Sequence, residues 1–572
     1  MTDPKTDPAA TFAELNRLLL GNAAEKLGAA QALPDFPEMI KLFSAGAAAD
    51  SERWLELHSR YYREQLSLWQ AFMNPQDGQS SPPPPADRRF RAPEWQEPYY
   101  NYLAHSYLLS ARWLEQLTAT AKLDDHPRRK LDFFTRQMID SMCPANFPWT
   151  NPEAIRLATE TEGDSISRGL KNLAADIDRG LVSMTDETAF EVGRNLAITP
   201  GAVVFENDFM QLIQYAPQTA DVHARPLVMI PPCINKYYIL DLQPDNSFVR
   251  HAVGAGHTVF MVSWRNMPAE MGQATWDDYL EQGVMRALAV ARDISGAEQV
   301  NALGFCVGGT LLASALAVLR ARGENPAASL TLLTTMLDFS DTGELSVFID
   351  EQYVAAREAE FAQGGLLHGR ELARTFASLR ANDLIWPYVV NNYLKGRTPE
   401  AFDLLYWNSD STNLPGVMYK YYLRNTYLEN QLRVPGALTM CGVPVDLGRV
   451  DMPAYLLAAR EDHIVPWRTA YTSTALLGGP VRFVLAASGH IAGVINPAAR
   501  NKRNYWTCDR LAPQSEAWLE GATSVPGSWW PHWSEWLDTH GGGRIPAPAT
   551  PGNAKHQPIE PAPGRYVKDK NS

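Results

Sequence analysis

The residues whose types and spacing best suit them to chemistry are Cys306, Asp462 and His490. Cys306 stands in Gly304-Phe305-Cys306-Val307-Gly308, between an apolar run of strand length, VNALGF, and a helix-forming segment, GGTLLASALAVLRA. A nucleophile held on a sharp strand-to-helix turn needs small neighbours, because that backbone crowds any Cβ, and Gly304 and Gly308 supply them. The positive end of the following helix dipole then faces the sulfur. A thiol nucleophile needs a base, and the base needs an orienting carboxylate. Asp462, in REDHIVPW, follows the apolar run PAYLLAA, and His490, in SGHIAG, follows VRFVLAA. A strand followed by a reactive loop thus occurs three times, in the order nucleophile, acid, base. Taken alone, Asp462 reads as a solvated loop carboxylate and His490 as a structural histidine; order and strand context reverse both readings. Glu461 and His463 are the nearest rivals and rank lower. The chemistry implied is acyl transfer through a thioester on Cys306. Its oxyanion would need two backbone N–H groups. Val307 supplies one. The other comes from Pro231-Pro232-Cys233-Ile234-Asn235-Lys236, where the prolines have no N–H, leaving Cys233 or Ile234, of which Ile234 is preferred. Cys233 reads as a packing cysteine rather than a second nucleophile.

These loops need a sheet to hold them. From about residue 201, apolar runs at 226–230, 257–264, 299–305, 329–337, 453–458 and 481–485 alternate with helical segments, which predicts a mostly parallel sheet with helices on both faces. Before that, segments such as 11–27 and 99–121 have helical character, interrupted by SSPPPP at 80–85. The expected organisation is a mainly helical N-terminal domain over 1–190 and an α/β catalytic domain over 191–572. Residues 340–440 break the strand–helix rhythm and carry Trp386, Tyr388, Tyr393, Tyr406, Trp407, Tyr419, Tyr421 and Tyr422, which suggests an inserted cap. Residues 541–572, rich in Pro and Gly, are expected to run irregularly over the surface.

A chain of 572 residues, 45% hydrophobic and 20% charged, has the profile of a folded enzyme. Its net charge of -13 argues against nucleic acid as a partner. Five cysteines without CxxC spacing fit a reduced, cytoplasmic setting and no metal site. Nothing reads as a signal peptide or transmembrane segment, for which about 18 apolar residues would be needed.

The motifs above, with PPCINKYYILDLQP, GHTVFMVSWRN, TWDDY, GFCVGGT, REDHIVPW and GHIAGVINP, and with DRRF, PANFPWTNPEA and EPAPGRYVK nearer the ends, resemble the class I polyhydroxyalkanoate synthases over nearly the whole chain. The resemblance implies an α/β-hydrolase fold with inserted cap, preceded by a mainly helical N-terminal domain concerned with assembly or granule attachment. It implies an acyltransferase that polymerises (R)-3-hydroxyacyl-CoA into polyester, with Cys306 as nucleophile, His490 as base and Asp462 as the acidic member. Asp462 would either orient His490 or act on the 3-hydroxyl. No cofactor is expected, since coenzyme A arrives on the substrate and is released. The partners implied are the growing polyester, the surface of a cytoplasmic polymer granule and a second copy in a homodimer. A thiol hydrolase using water in place of the hydroxyacyl group is the nearest alternative. A granule-coating protein using Trp529, Trp530, Trp533 and Trp536 as an apolar patch is the non-enzymatic one.

Overall fold

The computed structural model describes residues 50–73, 83 and 85–570; the helical expectation over 11–27 and most of the proline run at 80–85 fall outside them. The chain divides into two compact units, residues 1–186 with 373–401, and residues 187–372 with 402–572.

The described part of the first unit is helical. Ser51–Met73 and Pro98–Thr120 are its long helices, followed by Asp125–Ser141, Pro152–Glu160 and Asp164–Arg179. Residues 373–401, which the sequence groups with the cap, belong here for a packing reason. Val389, Tyr393 and Leu394 form one apolar cluster with Ala154 and Leu173. The Tyr393 hydroxyl donates to the buried Asp176 carboxylate at 2.7 Å, and Asn392 Nδ2 donates to the Ser183 carbonyl at 2.7 Å.

The second unit is built on one sheet of eleven strands. In chain order these are β1 (Gly201–Glu206), β2 (Met210–Tyr215), β3 (Leu227–Ile230), β4 (Val259–Trp264), β5 (Val300–Phe305), β6 (Ala327–Leu333), β7 (Ala454–Ala459), β8 (Val481–Ala486), β9 (Asn504–Thr507), β10 (Thr523–Pro526) and β11 (Glu560–Pro561). They lie side by side as β10-β9-β8-β7-β6-β5-β3-β4-β2-β1-β11. The six from β4 to β8 in this order are parallel, and the flanking strands are antiparallel. The parallel six are the runs read from the sequence. β3, β4, β5 and β7 are buried along their whole length, which is why their side chains do not alternate in polarity. β6 ends earlier than the apolar run, at a Thr334 with φ +39°. The helix Val307–Ala321 behind β5 is apolar all round and buried from Val307 through Leu319, as a helix inside a layered core must be.

Residues 541–570 run largely irregular and exposed, as expected, but are pinned at three points: Arg544–Pro546 pairs with Asp221–His223, β11 extends the sheet beside β1, and Val567 is buried. The surface patch that the non-enzymatic alternative needs is absent near 530, because Trp529, Trp530 and Trp533 are buried in the core.

Candidate active site

Strand β5 ends at Phe305 and the helix starts at Val307, so the whole reversal falls on Cys306, with φ +53° and ψ −129°. A positive φ strains any residue with a Cβ, and the surroundings hold it there. Cys306 N–H donates to the Leu333 carbonyl at 2.9 Å, while its own carbonyl accepts from Gly309 N–H at 2.9 Å. The glycines are required by contact. A Cβ on Gly304 would lie 2.3 Å from Gly309 Cα, and one on Gly308 would lie 2.3 Å from the Ile230 carbonyl oxygen and 2.5 Å from that of Pro231.

Asp462 and His490 come from the loops after β7 and β8, which are parallel neighbours; Glu461 N–H donates to the Ser488 carbonyl at 3.0 Å and zips the two loops together. His490 Nδ1 lies 2.6 Å from Asp462 Oδ2. The other carboxylate oxygen, Oδ1, accepts from Ile464 and Val465 N–H, both at 2.9 Å. The Asp462 side chain is fully buried, so both oxygens are engaged within the protein. Burial pulls the His490 imidazolium down, but the charges of Asp462 and Cys306 and the hydrogen bond with Asp462 outweigh it and hold its pKa above the usual histidine range. The structure therefore brings Cys306, His490 and Asp462 together. Glu461 is exposed and His463 is only partly buried.

Burial pushes the Cys143 thiol up to about 11 and those of Cys233 and Cys441 up to about 12. Cys306, Cys441 and Cys508 are partly exposed. Cys233 is packed in the core, close enough to Cys306 for charge on one sulfur to raise the other.

The loop 231–236 after β3 has its carbonyls turned into the protein. Pro231 accepts from Trp264 Nε1 at 2.8 Å, Cys233 from Thr412 Oγ1 at 2.8 Å, Ile234 from Thr412 N–H at 2.8 Å and Lys236 from Trp407 Nε1 at 2.7 Å. In a trans peptide the N–H points opposite to the carbonyl, so the Ile234 N–H faces away from Thr412. Among the described residues neither Ile234 nor Val307 N–H donates to a protein acceptor. Two tyrosines escaped the motif reading as site residues. Tyr422 and Tyr427 are raised well above the ordinary tyrosine range by burial, with Cys306 adding to both shifts and Asp462 to that of Tyr427. Their rings pack at 5.3 Å, and Trp276 stacks on Tyr422 at 5.2 Å. Nothing in their spacing marks them: they lie on the helical run Gly416–Tyr422 and Leu423–Leu428, away from the strand-to-loop motifs.

One group among the described residues has ligand types suited to a metal: His223, His257 and Asp538. Asp538 Oδ1 lies 3.0 Å from His223 Nε2 and 3.3 Å from His257 Nε2. The two imidazoles are stacked at 4.3 Å and 13°. An imidazole binds a metal in its own plane, and these planes are too nearly parallel to meet at one ion.

Residues 86–252 match the family model described as the N-terminus of poly-beta-hydroxybutyrate polymerase (PhaC), and residues 226–497 match that of the alpha/beta hydrolase fold. The chain is 54% identical over 99% of its length to the poly(3-hydroxyalkanoate) polymerase subunit PhaC of Cupriavidus necator, covering 95% of that protein. It is 40% identical over 94% of its length to that of Rhizobium meliloti, covering 89% of it, and 42% identical over 91% to the poly(3-hydroxyalkanoate) polymerase of Methylorubrum extorquens, covering 88%. With an α/β-hydrolase sheet carrying a cysteine at its strand-to-helix turn, and with this likeness along almost its whole length, the chain belongs to the poly(3-hydroxyalkanoate) polymerase family.

Proposed function

We propose that this protein is an acyltransferase that polymerises (R)-3-hydroxyacyl-CoA into polyester, releasing one coenzyme A per monomer through a thioester on Cys306. The observation that carries the reading is the arrangement at the turn: a strained, partly exposed Cys306, electrostatically coupled to a buried histidine whose Nδ1 is 2.6 Å from a buried carboxylate. His490 takes the thiol proton as sulfur adds to the substrate carbonyl, and the oxyanion is received by the Val307 and Ile234 N–H groups. Collapse expels the coenzyme A thiolate, which takes the proton from His490. One thioester replaces another at little cost, so the acyl group stays activated. His490 then removes the proton of a 3-hydroxyl as that oxygen attacks the acyl-enzyme, an ester forms, and the Cys306 sulfur leaves and is reprotonated.

Asp462 orients His490 in this scheme. Its side chain is fully buried, with one oxygen on two backbone N–H groups and the other on the imidazole, so neither faces a substrate hydroxyl. No separate cofactor takes part. The same proposal includes a cytoplasmic homodimer attached to polymer granules, with the helical unit serving assembly or attachment. Among the described residues no helix is long and apolar enough to cross a membrane.

The test uses an acyl-CoA lacking the 3-hydroxyl. It should load Cys306 and release at most about one coenzyme A per site, because nothing can extend the chain. Sustained rapid turnover would favour attack by water, and hence the hydrolase reading. With 3-hydroxyacyl-CoA the protein should accumulate insoluble polyester, where a hydrolase would give only soluble acids.

A further inference from the structure

Lys236 ends the loop that carries Ile234, and it is 2% exposed, an unusual position for an ammonium group. Its Nζ donates to the main-chain carbonyl of Asp569 at 2.6 Å. The charge of Asp410, itself buried and accepting from the Tyr238 hydroxyl at 2.8 Å, supports it from within the core. Residues 565–570 are a built strap. Gln211 Oε1 accepts from the N–H groups of Arg565 and Tyr566 at 3.1 and 3.2 Å, the Tyr566 hydroxyl donates to the Asn207 carbonyl at 2.9 Å, Val567 is 1% exposed, and Lys570 Nζ lies 4.9 Å over the Tyr406 ring.

We propose that Lys236 and the strap 565–570 form a latch that fixes the loop 231–236, and with it the Ile234 N–H, beside Cys306. Lys236 is thus a positioning residue: it touches no reacting atom and acts through the backbone two residues away. The inference rests on the acyl-transfer reading of Cys306. The loop is held at its start by Trp264 on Pro231 and in its middle by Thr412 on Cys233 and Ile234. At its end the Lys236 carbonyl is held by Trp407 and the Lys236 side chain by the strap. The Lys236 side chain thus links the loop to residues beyond 560. Burial lowers the Lys236 pKa and Asp410 and Asp569 oppose that shift, as expected of an ammonium that depends on these partners. A hydrophobic side chain of similar length removes the buried ammonium but leaves the buried Asp410 without its cation, so some fold stability falls with the latch and the test compares two reactions of one folded variant. Catalysis should fall, because an oxyanion donor works only when held in place.

The experiment compares two reactions of Cys306 in the full chain: acylation by a short 3-hydroxyacyl-CoA, read as the burst of coenzyme A, and alkylation by iodoacetamide, read by peptide mapping. Acylation needs the oxyanion donors and alkylation does not. In Lys236→Met, assayed below its own melting temperature, acylation should slow by about 10- to 100-fold while alkylation stays within about threefold of the parent. Lys236→Arg, which retains a cationic donor, should recover most of the acylation rate. Unchanged acylation in Lys236→Met, or equal losses in both reactions, overturns the latch. If Lys236→Met does not yield folded protein, Lys236→Gln, one atom short of the Asp569 carbonyl, is judged by the same ratio. Failure of the underlying reading shows separately, as coenzyme A release that persists in Cys306→Ala.

Discussion

Replacing Asp462 by asparagine separates the two roles open to that carboxylate. Oδ1 accepts from two backbone N–H groups at 2.9 Å and Oδ2 faces His490 Nδ1 at 2.6 Å. An asparagine can keep its oxygen toward Ile464 and Val465 only by turning its NH2 toward His490. The flipped amide would set NH2 against two N–H donors and lose two buried hydrogen bonds, a cost of about 2–6 kcal/mol, so the first orientation wins. A donor facing Nδ1 forces that nitrogen to accept and places the imidazole proton on Nε2, toward Cys306. The base can then no longer take the thiol proton. Loading and elongation should fall together, by about 10³- to 10⁴-fold, the size of loss seen when a triad base is held in the wrong tautomer. The His490 pKa should fall as well, since the Asp462 charge helps raise it. Rapid mixing with 3-hydroxyacyl-CoA measures the loading burst and the steady rate in one trace, and the imidazole can be titrated by NMR. A burst that survives while elongation collapses would refute the argument from engaged oxygens and give Asp462 a direct part in activating the 3-hydroxyl.

Other perturbations probe the support around the site. Cys306→Ala should abolish acylation while Cys143→Ala, Cys441→Ala and Cys508→Ala retain most of it, and it should lower the His490 pKa, because Cys306 contributes to raising it; labelled acyl groups and NMR titration read the two effects. Gly308→Ala places a Cβ against two backbone carbonyls that cannot swing away, displacing the loop 231–236; acylation should fall about 100-fold with about 1–3 kcal/mol of stability lost, whereas Gly521→Ala, with open space at its Cβ, should be silent in the same kinetic and urea-unfolding assays. Asp338 accepts from Ser340 N–H and Asn430 Nδ2, both at 2.8 Å; burial raises its pKa, but these bonds and Arg433 prevail and hold it below the usual carboxylate range. A depressed carboxylate contributes stability that is fully present above its unfolded pKa and lost as pH falls through the folded one. Asp338→Asn should therefore cost about 1–2 kcal/mol at pH 7, with the difference narrowing below about pH 4 in urea titrations; a difference that is flat with pH would contradict the sign.

The parts of this molecule legible in the sequence are those in which neighbouring residues decide the outcome. The six parallel strands read as strands because burial on both faces leaves continuous apolar runs, and the order Cys306, Asp462, His490 reads as a site because each follows such a run directly. The outer strands were harder to see. β2 carries Gln211 and Gln214, which are buried yet polar, and their partners lie in the segment beyond 550: Arg565 and Tyr566 N–H for Gln211, Gly552 N–H for Gln214. Residues 373–401 join the helical unit through pairs such as Tyr393 with Asp176, 217 positions apart, which no local pattern can announce.

The same limit applies inside the site. The facing of the Ile234 N–H is set by Thr412, and the helix that begins at His490 is held by the tryptophans that a surface reading would expose. Trp529 Nε1 donates to the Gly493 carbonyl and Trp530 Nε1 to that of Val494, each at 2.9 Å, so two buried indoles satisfy the last carbonyls of a five-residue helix with His490 at its start. A helix this short lacks the internal hydrogen bonds to hold its own geometry, so these contacts help fix the imidazole. An indole N–H needs an acceptor when buried, and four tryptophans within eight residues look the same on paper whether they face water, a polymer or these carbonyls. Which of these they meet is decided by residues 36 positions away. The candidate reactive groups of this chain can thus be read from a strand and the loop that follows it, whereas the contacts that hold them in register become visible only in the folded chain.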